Sequence, residues 1–282
     1  MRKLKAFLKL FWDAYIYWDN DKAWRMGAAL AYFTIFSLAP LLLIIIVIAG
    51  AVYGRAAAQG QIVSQIQDLI GQAGATAIQD MISNVSQSHA TTWATLFGVG
   101  MLIMGASGVF VQLRDSLDTV FQVTERPLST VKAYLLDRII SLGMILTIGF
   151  VLLGSLILST AVSGFGGYIS THVPGLENIL RIIELAVSFF IIWVLFALMF
   201  KFLPAIRIRW RPVLVGAAVS SFLFTIGKYF IGLYLGKSGA SSLFGAAGSL
   251  AVILLWSFYS SLIFLYGAEF TKCYAQRFGP KP

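Results

Sequence analysis

KFLPAIRIRWRPVLVGAAVSSFLFTIGKYFIGLYL, residues 201–235, carries four cations before Pro212 and then runs through residues 213–235 with a single charge, Lys228. About 20 apolar residues in helical form cover the ~30 Å hydrocarbon layer of a bilayer. The stretch therefore reads as a basic collar followed by a membrane span. Basic flanks are retained on the cytoplasmic side, so the collar also gives the span a direction.

The same pattern recurs along the chain. Apolar runs at 27–53, 93–113, 139–162, 182–200, 213–235 and 243–265 are separated by segments whose Lys and Arg alternate 6, 1, 4, 1, 4, 1, 3. The expected fold is all-α: a polytopic bundle of six transmembrane helices (27–265) with both termini cytoplasmic. Residues 1–26 form a cytoplasmic interfacial segment and 266–282 a cytoplasmic tail. A composition 59% hydrophobic and 12% charged agrees, and the net charge of +9 is first of all a topology signal. The first 26 residues mix basic and aromatic side chains, so no cleavable leader is expected and the first span serves as its own insertion signal.

Leu4, Phe7, Leu8, Phe11, Trp12 and Tyr15 recur at helical spacing among Arg2, Lys3, Lys5 and Lys9, the pattern of an amphipathic helix in the headgroup layer. In the first outer loop, Ile62, Ile66, Leu69 and Ile70 make one apolar stripe and Ile78, Met81, Ile82 and Val85 another, predicting two short amphipathic helices over the outer face. Arg207, Arg209 and Arg211 alternate with Ile206, Ile208 and Trp210, which suits a strand or extended segment with its arginines on one side.

Small residues gather in bands, Gly98 to Gly108, Gly216 to Ser221 and Gly245 to Ser249, where helix backbones can approach closely. Pro40 interrupts the first span and predicts a kink. An ionisable group near the bilayer centre costs at least ~2.5–3.5 kcal/mol, so Lys228 in the fifth span and Glu184 at the outer end of the fourth are site candidates. They pair across a helix interface, face water, or Lys228 snorkels outward along its stem. At the inner surface Arg114, Asp115 and Asp118 end the second span and Glu269 ends the sixth, which suits salt-bridged helix ends or an inner gate. His89 and His172, the only histidines, sit in predicted outer loops far from these carboxylates. No metal-ligand spacing, phosphate loop or nucleophile elbow is present, so no enzyme activity, catalytic residue, metal or cofactor is expected. The single cysteine, Cys273, falls in the tail and gives no disulfide framework.

AALAYFTIFSLAPLLL (28–43), ASGVFVQLRDSLDTVF (106–121), and the tract from 203 to 235 continued by SLFGAAGSLAVILLWSFYSSLIFLYGAEFTK (242–272) resemble the YihY/BrkB family of bacterial inner-membrane proteins. Matching positions include Tyr32, Pro40, Arg114, Asp115, Lys228, Gly245, Trp256, Gly267 and Glu269, while Asp118 stands where many relatives have Asn. The resemblance implies a six-helix protein of the cytoplasmic membrane. Some members carry a ribonuclease label and others a virulence label, and neither defines a mechanism.

The leading expectation is a non-ATP-driven transporter or flippase-like protein for a lipid or other amphiphile. Lys228 would contact an anionic head group and Glu184 would be its resting partner; Pro40 supplies the interruption, and Arg114, Asp115 and Glu269 form the gate. Membrane lipids are the expected partners, together with an envelope protein or a second copy, and no nucleic acid. The alternatives are a membrane scaffold for envelope assembly and, behind it, a membrane-tethered ribonuclease. The topology is checked with a chain lacking Cys273. A membrane-impermeant maleimide added to intact cells should label His89→Cys and leave Arg209→Cys unmodified.

Overall fold

The computed structural model describes residues 2–54, 108–123, 177–237 and 246–278, with isolated positions between 59 and 79 and at 143 and 147. Its long elements are all helices: α1 (Arg2–Asn20), α2 (Ala23–Tyr53), α3 (108–120), α4 (Glu177–Phe202), α5 (Trp210–Lys237) and α6 (Ala246–Phe278). Three of them contain segments long and apolar enough to cross a membrane, at Leu185–Phe202, Trp210–Phe230 and Ala251–Phe278. Large apolar side chains cover their outer faces, Leu185, Phe190, Phe222, Tyr229 and Phe230 each being more than half exposed. A water-soluble protein does not carry apolar surface on this scale, whereas lipid satisfies it. The protein is a helical membrane protein.

The predicted spans 182–200 and 213–235 fall inside α4 and α5, and 27–53 inside α2, which continues as helix across Pro40. Spans 93–113 and 139–162 lie almost wholly outside the described residues. The sixth predicted span, 243–265, falls within α6 from Ala246 onward, and α6 continues to Phe278 through the predicted tail, where α1 packs along its last turns.

That docking uses one face of α1. Leu10 and Ala14 join Phe270 and Cys273 in a small core, Trp18 Nε1 donates to Leu262 O at 3.1 Å, and Tyr266 Oη donates to Phe11 O at 3.0 Å. The face buried on α6 is not the expected stripe: Leu10, Ala14 and Trp18 face α6, while Leu8, Trp12 and Tyr15 of that stripe stay exposed on the opposite side. Both ends of α1 and α3 reverse without glycine. Lys22 and Gln122 hold φ of 56° and 55°, and after α3 Val123 N–H returns to Asp118 O and Gln122 N–H to Thr119 O, closing the helix end with a Schellman pair.

The main core draws on every helix, Trp18 of α1, Leu30 of α2 and Leu117 of α3 joining the aromatic contacts of α4, α5 and α6. Phe196 and Phe200 of α4 pack on Phe264 of α6 with centroids 6.2 and 5.2 Å away, and Phe224 of α5 meets both Phe196 and Trp256. Trp193 Nε1 ties α4 to α5 by donating to Leu214 O at 2.8 Å. The α5–α6 crossing is set by small residues. A side-chain carbon at Gly216 would lie 2.9 Å from Gly267 O and overlap Thr271, and one at Gly267 would overlap Ser220. The hydroxyls there turn back on their own helices, Ser220 to Gly216 O, Ser221 to Ala217 O and Thr271 to Gly267 O, so close approach leaves no unsatisfied polar group.

The segment before α5 is irregular rather than a strand: it bends over 203–206, is extended over 207–209, and Arg211 already belongs to α5. Ile208 is buried between exposed Arg207 and Arg209, so the expected alternation survives locally.

Overpacking a tight contact costs about 1–3 kcal/mol. Gly216→Ala should lower stability by about that amount, read as thermal unfolding in detergent. Gly60→Ala, with open space around the added carbon, should leave the midpoint unchanged.

Candidate functional site

Two features of the described bundle concentrate polar chemistry or space, and they are built from different parts of the sequence. The first is a buried ionic cluster where α1, α2, α3 and α6 meet. Lys272 is 5% exposed and Glu269, one turn earlier on the same face of α6, is fully buried. Lys272 Nζ lies 2.9 Å from Glu269 Oε2 and 3.4 Å from Asp21 Oδ2, donates to Val120 O at 2.7 Å, and sits 4.8 Å from the centre of the Tyr17 ring. One ammonium thus connects the α1–α2 junction, the end of α3 and α6. Beside it, Arg114 Nε is 3.9 Å from Asp118 Oδ2, and Asp118 Oδ1 accepts Ala205 N–H at 2.8 Å, anchoring the α4–α5 connection to α3. Lys201 of α4 donates to Ile208 O and lies 5.4 Å from the Trp210 ring centre, closing that connection on itself.

The predicted inner gate of Arg114, Asp115 and Glu269 is rearranged accordingly. Glu269 pairs with Lys272 and faces Asp21; Arg114 is matched by Asp118; Asp115 is exposed. Positions 114 and 118 are one helical turn apart and share the buried face of α3, whereas 115 is turned about 100° away. Lys272 and Asp21 were not among the residues singled out from the sequence. Their signal was the i, i+3 spacing of Glu269 and Lys272, which places opposite charges on one helix face.

The second feature is a partly open cavity of about 360 Å³ within the bundle. Leu38 of α2, Leu113 of α3, Phe196 of α4 and Phe224 of α5 form its walls, and α6 contributes Trp256 and Phe264 with a strip of Ser257, Ser260 and Ser261. Ile78 of the first predicted outer loop also lines it and is 2% exposed. Ser261 Oγ donates to Ser257 O at 2.7 Å and Thr34 Oγ1 to Leu30 O at 2.7 Å, so these hydroxyls are satisfied within their helices. Ser260 Oγ is buried and makes no hydrogen bond. Apolar cavities of this size with few polar groups are the usual form of a small-molecule site, and sequence periodicity could not reveal one because it depends on how five helices meet.

Lys228 is half-buried on α5, makes no ion pair among the described residues, and does not line the cavity. Glu184 lies on α4, and its side chain, like that of Pro40 on α2, is outside what the structure describes. The structure therefore leaves the Lys228–Glu184 pairing as an expectation. His89 and His172 also lie outside the described residues. Among those that are described, no three of His, Cys, Asp and Glu converge to hold a metal.

The family model described as virulence factor BrkB matches residues 15–282 of the chain. The chain belongs to the BrkB family. Among curated relatives, a UPF0761 membrane protein of Cronobacter sakazakii is 26% identical over 274 residues, which cover 95% of this chain and 88% of the relative. One from Rhodospirillum centenum is 24% identical over 259 residues, covering 90% of this chain but 54% of its own length, so the chain spans about half of that longer relative. A Yersinia pestis relative is 29% identical over 177 residues, 61% of this chain and 58% of the relative. No solved structure matches. In this BrkB-family chain the family match spans both the ionic cluster and the cavity.

Removing one partner of a buried ion pair typically costs about 3–5 kcal/mol, because the other charge stays buried and uncompensated. Lys272→Met should show a loss of that order in detergent unfolding, and Lys272→Met combined with Glu269→Met should recover much of it. The Arg277–Asp13 pair, 3.6 Å apart with both side chains about a third exposed, is worth about 0–1 kcal/mol, so Arg277→Ala should barely move the midpoint.

Proposed function

We propose that this protein is a non-ATP-driven transporter or flippase-like protein for a lipid or other amphiphile. The observation that carries the reading is the cavity of about 360 Å³ between α2, α3, α4, α5 and α6, inside a bundle whose outer faces suit lipid. A scaffold needs only a packed bundle, and space of this kind would be wasted in one. The ionic cluster supports the same reading. Charged groups that hold α3, α6 and the α1–α2 junction together at one end form a closure whose opening would separate Glu269 from Lys272, and Arg114 from Asp118.

Lys228 keeps its proposed role as the contact for an anionic head group, with Glu184 on the neighbouring helix as its resting partner. An ammonium that is half-buried on a span and has no ion pair among the described residues has a desolvation cost with no recorded compensation. A head group passing along α5 supplies one. The ribonuclease alternative gains nothing from the arrangement, because the cluster's carboxylates are already committed to Lys272, Arg114 and the Ala205 amide.

The test is reconstitution into liposomes carrying a fluorescent anionic phospholipid, with translocation followed by chemical quenching of the outer leaflet. Wild-type protein should accelerate translocation over empty liposomes. Lys228→Met should cut the rate about tenfold or more while insertion and abundance stay as in wild type. Equal rates for wild-type and empty liposomes would sink the transport reading, and a fully active Lys228→Met protein would remove Lys228 from the site.

A further inference from the structure

The chemistry of the cavity points to which end of an amphiphile it takes. Its walls are Leu38, Leu113, Phe196, Phe224, Trp256 and Phe264, and among the described residues no charged side chain lines it. A phosphate or ammonium head group placed there would lose its hydration without gaining an ionic partner, a cost of several kcal/mol even after relaxation. The charged candidates stand elsewhere: Lys228 is outside the lining, and Lys272, Glu269 and Arg114 belong to the cluster around α1 and α3. We infer that the cavity holds one acyl chain of a membrane phospholipid, with the head group remaining outside it. The inference rests on the reading of this bundle as an amphiphile transporter and assigns the cavity its ligand.

Size agrees with a single chain. An apolar cavity of about 150 Å³ takes up benzene, so about 360 Å³ accommodates a chain segment but not two chains with a head group. The occupant comes from the surroundings. Around the lining residue Thr34, Tyr32, Phe33 and Phe36 of α2 are exposed on a surface that suits lipid, and the cavity is partly open, so acyl chains are the molecules at hand.

A chain leaving the bilayer for the cavity gains no hydrophobic free energy, because lipid tails are as apolar as leucine. Two local terms have to hold it. Dispersion contacts with the aromatic walls are one, each small and numerous in a confined space. The other is Ser260, whose buried Oγ–H makes no hydrogen bond among the described residues. An ester carbonyl is the acceptor that a phospholipid chain brings with it. Ser261 does not substitute for it in the same way, since its hydroxyl already donates to Ser257 O. Ile78 closes the cavity from the first predicted outer loop, so the chain is covered on that side by a segment distinct from the bundle helices.

The experiment uses the full chain in lipid nanodiscs containing phosphatidylcholine with a diazirine either in one acyl chain or on the head group. After irradiation, labelled residues are located by mass spectrometry. The chain probe should label α6 between Trp256 and Phe264, and the head-group probe should not. Ser260→Ala should reduce chain labelling about three- to tenfold, the effect of losing one hydrogen bond. Ser260→Phe should abolish it by filling the space. Should Ser260→Phe fail to fold, Leu38→Phe fills the opposite wall and should do the same. Head-group labelling inside the cavity, or no labelling by the chain probe, would overturn the inference. Chain labelling in a protein that fails to translocate lipid would leave the site standing and remove the transport reading instead. Translocation without chain labelling would do the reverse.

Discussion

A buried ammonium cannot be left alone in a protein interior, and the placement of Lys272 organises much of this bundle. Its charge is met by Glu269 on its own helix, Asp21 from the α1–α2 junction, the Val120 carbonyl at the end of α3 and the face of Tyr17. These partners come from three separate parts of the chain, α6, the end of α1 and the end of α3, and each constrains the others. Because Val120 must present its carbonyl, α3 has to end where the Gln122 reversal ends it. Because Asp21 must reach the same atom, α1 has to lie along the last turns of α6, which brings Leu10, Ala14 and Trp18 into contact with it. The continuation of α6 to Phe278 follows from this contact.

Elsewhere the bundle is held by a different means. Lipid leaves apolar helices with no hydrophobic reason to associate, so contact has to come from close packing and internal hydrogen bonds. The Gly216–Gly267 crossing brings α5 and α6 together, with Ser220, Ser221 and Thr271 satisfied by their own helices. Trp193 and the Phe196–Phe200–Phe264 rings then add α4. The close α5–α6 contact continues at Gly227, where an added side-chain carbon would overlap Tyr259, and the cavity lies beside it, lined by Phe196, Phe224 and Ser260.

The ionic cluster and the cavity keep charge and apolar volume in separate places. Charge is handled where paired residues from several helices meet, and apolar volume is enclosed where aromatic side chains predominate. Asp118 illustrates the economy of the first: one carboxylate faces Arg114 and caps the Ala205 amide, so α3 and the α4–α5 connection move together.

Helix type and extent were legible in the sequence wherever they depended on a local property. The apolar runs 182–200 and 213–235 contain no proline, and α4 and α5 extend past them by no more than five residues at either end. Glu269 and Arg114 were also visible as costly charges at helix ends. Asp118 was visible beside Arg114, but Lys272 and Asp21, which meet Glu269, were not, because periodicity tells which residues share a face but not what that face meets. Asp118 rather than Asp115 faces inward because α3 packs with residues 113, 114, 117 and 118 turned toward its neighbours. Docking of α1, burial of Lys272 and Cys273, and the cavity around Ser260 were decided only by tertiary structure. Apolar length and charge are properties of a segment and are written in it. Desolvation, ion-pair choice and enclosed volume are properties of several segments brought together, and no one of them carries that information.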